Sequence, residues 1–327
     1  MAFDIDGVLV RGEEVLPGAR ESLKALEDAR VPFVFVTNGG GCTEADKARV
    51  LTRKLGVQVH RSMVILSHSP MRTLAAKYSE KRVMVLGSSA KQIAEEDLGL
   101  RHTVTPEEFA CEWPGIFHFT GDGYYINRTF PTRPTDGPVS AVMVLHDPLD
   151  WALEAQVVVD VLRGGDPPGS GGASQTPMYI SNPDFTFASK YQEPRFAAGA
   201  FADTVRMLFA KRFGTSEPEI KVFGKPTKST FDYAMRLLEA RIASSSTEKL
   251  GGSKIKAVYM VGDNPSGDIR GANAAGPPWV SNLVRTGVYR DTDGRNNDEV
   301  DPAHYVHDDV RSCVEFAMER EARRDAD

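Results

Sequence analysis

Cysteine is scarce in this chain of 327 residues: Cys42, Cys111 and Cys313 are widely spaced and form no CxxC pair. So odd and sparse a set does not make a disulfide framework, and it points to a reducing compartment. Long apolar runs are missing too. No window approaches the ~18 consecutive apolar residues that a membrane-spanning helix needs. The first residues, Met1-Ala2-Phe3-Asp4, carry no basic stretch followed by an apolar one, so no secretory signal is read there. Nor is there a surplus of positive charge: 39 Lys+Arg stand against 45 Asp+Glu, a formal net charge of −6. Nucleic-acid and anionic-membrane surfaces need clustered cations, so neither is expected as a partner. A phosphorylated substrate stays possible, because one placed cation and a metal can bind phosphate inside an acidic protein. No two of the seven histidines have metal-ligand spacing, which disfavours zinc.

What is present is ordinary for a globular chain, with 41% hydrophobic and 26% charged residues. The length suits one or two domains. Short apolar runs alternate with helical patterns, the signature of βαβ units and a parallel sheet. Strands are predicted at Val31–Val36, Arg82–Leu86, Ala141–Leu145, Met178–Ile180 and Lys256–Val261. Thr43, with Asp46 three residues on, predicts the start of a helix running to about Leu55. Phe201, Val205, Leu208 and Phe209 make one helical apolar stripe, and Phe231, Ala234, Met235 and Leu238 another. Gly164–Thr176 and Ala243–Lys254, rich in Gly, Ser and Pro, read as solvated loops.

Four features carry chemistry, and each stands at the end of an apolar strand. The first is Asp4-Ile5-Asp6-Gly7. At strand spacing the two carboxylates would point into one site. A divalent cation would relieve their repulsion, and a nucleophilic carboxylate beside an acid/base one suits making and hydrolysing an acyl-phosphate. A turn or an incidental surface pair is the bland alternative, and an EF-hand is excluded by the missing third acid and distal Glu. The second is Thr37-Asn38-Gly39 after the Val31–Val36 run, where a hydroxyl, an amide and backbone N–H groups could hold phosphate oxygens. Asn-Gly is equally ordinary turn chemistry. The third is Lys225, before a Pro-started helix, able to neutralise a phosphate and a carboxylate together, although most lysines are merely solvated. The fourth is Gly262-Asp263-Asn264 with Asp268, where Asp263 suits a hard cation and Asp268 could orient it. Together they supply nucleophile, acid/base, phosphate donors, cation and metal ligand.

In this order the residues resemble the four motifs of the haloacid dehalogenase (HAD) superfamily, with no motif position departing from the catalytic pattern. The long interval between Asn38 and Lys225 resembles subfamily IIA, the NagD/para-nitrophenylphosphatase group. Ser67-His68-Ser69-Pro70-Met71-Arg72 and Leu283-Val284-Arg285-Thr286-Gly287-Val288-Tyr289 are most similar to the eukaryotic haloacid dehalogenase-like hydrolase domain-containing protein 5 family. The resemblance implies an α/β fold with a Rossmann-like parallel-sheet core at 1–79 plus 198–327. A C2-type α/β cap would be inserted at 80–197.

It also implies an activity: Mg²⁺-dependent hydrolysis of a small phosphorylated metabolite through an aspartyl-phosphate. Asp4 is then the nucleophile and Asp6 the acid/base. Thr37, Asn38 and Gly39 hold the phosphoryl group, and Lys225 stabilises its charge. Mg²⁺ is held by Asp4, the Asp6 carbonyl and Asp263, with Asp268 supporting. A weak or inactive HAD-fold binding protein and a phosphotransferase are the alternatives. A homodimer and a mitochondrial location, with the cytoplasm as alternative, follow by the same likeness. The carboxylate pair comes only three residues into what reads as a longer strand, so a truncated start with a lost targeting segment is expected. His68 and His146 are expected to be structural, Cys42 a bystander, and Asp184 either cleft-facing or part of a local turn.

Overall fold

A computed structural model describes residues 1–113, 115–118, 137–172, 176–187, 191–214, 217–244, 255–290 and 296–324. Most of the loop expected at Ala243–Lys254, and 173–175 of the other expected loop, lie outside these. The chain divides into two compact units, one of 1–38, 44–66 and 224–327, the other of 39–43 and 67–223.

The first unit is built on a parallel sheet. Its strands run in the order Tyr305–His307, Trp279–Val284, Val258–Gly262, Ala2–Phe3, Val34–Val36, Val64–Ile65. The strand at the start of the chain is therefore central, which explains its apolar residues: Ala2 and Phe3 are both fully buried. Alternation then sorts the sheet. Ala2, Val34, Val36, Val258 and Met260 share a cluster with Phe231, Ala234 and Leu238 of the helix Lys228–Ser244. The helix Glu44–Leu55 ends where expected. Val31 lies outside its expected strand, which begins at Val34.

The second unit has its own parallel sheet, ordered Ile220–Val222, Met178–Ile180, Ala141–Val144, Arg82–Leu86, His102–Val104. It is wider than the interval expected for the insert. Ile220–Val222 pairs with Met178–Ile180, and Phe201, Val205 and Phe209 pack with Val142 and Val144, so the segment 198–223 belongs here rather than in the core. Met71 and Tyr78 likewise pack with Val83 and Val85. Leu208, expected on the buried stripe, is 38% exposed; Ala198 and Ala202 take the inner positions beside Phe201 and Phe209. Among the described residues no helix is long and apolar enough to cross a membrane.

Candidate active site

The chemistry-bearing residues of the first unit converge at the carboxyl ends of its central strands, where a parallel sheet binds ligands. Asp4 leaves the first strand with its N–H still donating to Val261 O at 2.8 Å, so the sheet fixes its position. The chain turns at once. Gly7 N donates to Val10 O at 2.7 Å, while Leu9 and Val10 N–H groups both reach Ile5 O. Gly7 takes φ +82°, a left-handed conformation that costs other residues dearly. Because regular strand ends at Phe3, the strand-spacing argument for Asp4 and Asp6 does not hold. Asp4 is buried and Asp6 exposed.

Lys225 is the hub. Its ammonium lies 2.9 Å from Asp4 Oδ1, donates to Asp268 Oδ1 at 2.6 Å and donates to Val36 O at 2.9 Å. Its backbone is pinned by Asn38, whose Oδ1 accepts from Lys225 N at 2.7 Å and whose Nδ2 donates to Lys225 O at 2.9 Å. The structure thus ties the Asn38 side chain to the lysine loop, whereas the sequence reading gave its amide to phosphate. Asp268 is committed similarly: its other oxygen accepts from Asn264 N at 3.1 Å. Asp263 Oδ2 accepts from Val288 N at 2.7 Å.

Asp4, Asp263 and Asp268 each bring a carboxylate oxygen within 4.8 Å of the others, and all three are buried. One ammonium cannot balance three buried carboxylates, so Asp263 and Asp268 resist ionising. Burial, then the Asp4 and Asp268 charges, push Asp263 up to about 8. Burial likewise raises Asp268 to about 6, against the pull of Lys225. Burial alone would favour neutral Lys225, but Asp268 and Asp4 outweigh it and hold its pKa above the ordinary value. Although its side chain meets solvent, Asp6 is raised too, first by partial desolvation and also by Asp4, against Lys47. An all-oxygen, surplus-negative pocket fits a hard divalent cation such as Mg²⁺. The Asp6 side chain is not part of this cluster.

Thr37 is buried at the end of the Val34–Val36 strand, its N–H donating to Ile65 O at 3.0 Å. Gly39 falls in the second unit, where its carbonyl accepts from Ser67 N at 3.3 Å. His68 is fully buried with Nε2 2.9 Å from Asp97 Oδ2, a structural pair as expected. Asp184 does sit in a local turn, but the side chain that closes it is that of Asn182, accepting from Asp184 N at 2.8 Å. The sequence reading missed Thr286, Gly287 and Val288 as neighbours of the site. They lie in the Leu283–Tyr289 segment singled out for its likeness alone.

A family profile described as haloacid dehalogenase-like hydrolase matches residues 1–101, and one described as HAD-hydrolase-like matches 222–313. The mitochondrial hydrolase YKR070W of Saccharomyces cerevisiae is 34% identical over 98% of this chain and 96% of its own. Human glycerol-3-phosphate phosphatase is 26% identical over 92% of this chain and 83% of its own. The glycerol phosphate phosphatase Rv1692 of Mycobacterium tuberculosis, solved with magnesium, superposes with a TM-score of 0.64 at 23% identity, covering 95% of this chain and 75% of that one. The chain belongs to the haloacid dehalogenase-like hydrolase family.

Proposed function

We propose that the chain is a Mg²⁺-dependent phosphatase that hydrolyses a small phosphomonoester through a phospho-aspartate on Asp4. The observation that carries this reading is the buried set of three carboxylates around a single lysine. Asp4 attacks phosphorus, the bond to the leaving oxygen breaks, and Asp6 donates the proton that oxygen needs. Asp6 then takes a proton from the water that attacks phosphorus, the bond to Asp4 breaks, and inorganic phosphate leaves. The pKa of Asp6 is raised, chiefly by desolvation, the direction that favours a group giving a proton in one half-reaction and taking one in the next. Thr37, with the backbone N–H groups of Asn38 and Gly39, holds the phosphoryl oxygens. Lys225 balances their charge while keeping Asp4 in place. Asp4, Asp263 and the Asp6 carbonyl would hold Mg²⁺, braced by Asp268 through Lys225 and Asn264. When bound, Mg²⁺ would supply positive charge that offsets the repulsion between the nucleophile and the phosphoryl oxygens.

The second unit is read as the inserted domain that selects the rest of the substrate. Mitochondria are the proposed location, supported by the relative so named in yeast. The test is phosphate release from a panel of glycerol phosphate, phosphoglycolate, sugar phosphates, nucleotides and pyridoxal phosphate, with Mg²⁺ and with EDTA. Release from at least one ester, lost in EDTA and in Asp4→Asn, is expected. No hydrolysis of any ester sinks the reading. Transfer to an added alcohol exceeding release makes the enzyme a phosphotransferase instead.

A further inference from the structure

Two glycines from opposite ends of the chain close on one carboxylate. A Cβ built on Gly7, or one built on Gly287, would overlap Oδ2 of Asp263, and the Gly7 one would also stand 3.0 Å from Gly287 Cα. The turn that carries Gly287 is fastened on both sides. Thr286 Oγ1 donates to Gly7 O at 2.5 Å, Val288 N donates to Asp263 Oδ2 at 2.7 Å, and Tyr289 N donates to Asp263 O at 2.9 Å. The Arg11 guanidinium reaches Thr286 O, tying in the hairpin that follows the Asp4–Asp6 turn. Three backbone segments therefore meet around Asp263, and none of these contacts is a hydrogen bond of a sheet ladder or a helix. A turn held by its neighbours' polar groups, with its glycine against a carboxylate, positions that carboxylate.

We propose that the Thr286-Gly287-Val288 turn is the positioning element for the metal ligand Asp263. In this role Gly287 is the space that lets the carboxylate stand where it does. Thr286 couples the turn to the Asp4–Asp6 loop, so that ligands from the two ends of the chain keep a fixed separation. The proposal rests on the reading of Asp4, Asp263 and the Asp6 carbonyl as metal ligands. Loss of such a supporting contact to a ligand costs about 10–100-fold in metal affinity.

The experiment is Mn²⁺ titration of the full chain, following free Mn²⁺ by electron paramagnetic resonance, with the apo melting temperature measured alongside. Wild type is expected to bind one Mn²⁺ and Asp263→Asn to bind far more weakly. Gly287→Ala is expected to lose about 10–100-fold in Mn²⁺ affinity. Thr286→Val is expected to lose affinity in the same direction and Thr286→Ser to restore it. In turnover the loss appears as a raised Mg²⁺ requirement with the substrate KM little changed. If Gly287→Ala does not fold, the Thr286 pair decides alone. Mn²⁺ affinity equal to wild type in Thr286→Val and in any folded Gly287→Ala overturns the positioning role while leaving the metal site standing. Absence of Mn²⁺ binding by wild type overturns the metal reading itself.

Discussion

Stripping the divalent cation is expected to make stability fall as pH rises, and restoring it is expected to flatten that dependence. In the folded chain Asp263 titrates near 8, against an ordinary value of 3.8. A carboxyl whose pKa is higher folded than unfolded binds more protons in the folded state. Folding is therefore penalised increasingly from about pH 4 up to about pH 8. Each unit is worth about 1.4 kcal/mol, so from pH 5.5 to 7.5 Asp263 alone costs up to about 3 kcal/mol. Asp268 shares the same field and adds to the direction rather than to an independent sum. For a unit of this size, about 3 kcal/mol corresponds to a melting temperature lower by roughly 6–12 °C. A cation binds the ionised carboxylates and competes with protons, so its stabilisation is larger at pH 7.5 than at pH 5.5. At a concentration 100 times its Kd, that stabilisation is about 2.7 kcal/mol. The assay is thermal unfolding in EDTA and in Mg²⁺ at both pH values. Asp263→Asn should lose the larger part of this fall, keeping what Asp268 and Glu154 contribute, and lose its response to Mg²⁺. An apo melting temperature that rises from pH 5.5 to 7.5, or a Mg²⁺ shift equal at both, refutes the account.

Lys225→Met leaves Asp4 and Asp268 without their cation. It is expected to cost about 3–5 kcal/mol in the metal-free chain by denaturant unfolding, and about 10²–10³-fold in kcat. Millimolar Mg²⁺ should recover part of the stability but not the rate. Glu154, buried in the second unit and pushed up to about 7 chiefly by that burial, also folds more favourably protonated. Its penalty grows from about pH 4.5 to 7, so Glu154→Gln should stabilise at pH 8 by on the order of 3 kcal/mol and hardly at all at pH 4.5. Unfolding curves of both proteins at the two pH values check this, and equal gains at both contradict it.

The sequence displayed the polar ends of the strands better than the strands themselves. Asp4, Thr37, Lys225 and Asp263 each follow an apolar run or precede a helix start, so their convergence could be read from the chain. Trp279–Val284 was not read as a strand, because buried Ser281 and Asn282 interrupt its apolar pattern; hydrogen bonds to Asn273, His304 and the Val280 carbonyl satisfy them. The edge strand Tyr305–His307 is three half-buried residues, too short for any period. The boundary between the units was misplaced for a related reason. Ile220–Val222 is half exposed and only its pairing with Met178–Ile180 shows which sheet it joins. Division of labour inside the site was likewise hidden. Whether Asn38 faces a ligand or fastens Lys225 depends on a bond across 187 residues, and no local pattern encodes that.

The central position of the first strand has a consequence for how the protein is made. Ala2–Phe3 can pair early with Val34–Val36, but its other neighbour, Val258–Gly262, is synthesised more than 250 residues later. Until then one edge of the nascent sheet is open, in a topology dominated by distant contacts and hence slow to close. Asp4 joins no buried carboxylate cluster until Asp263 and Asp268 emerge, and Asp263 has no clamp until Gly287 does. A chain released early from the ribosome therefore carries no half-built catalyst, and one edge of its central strand stays unpaired.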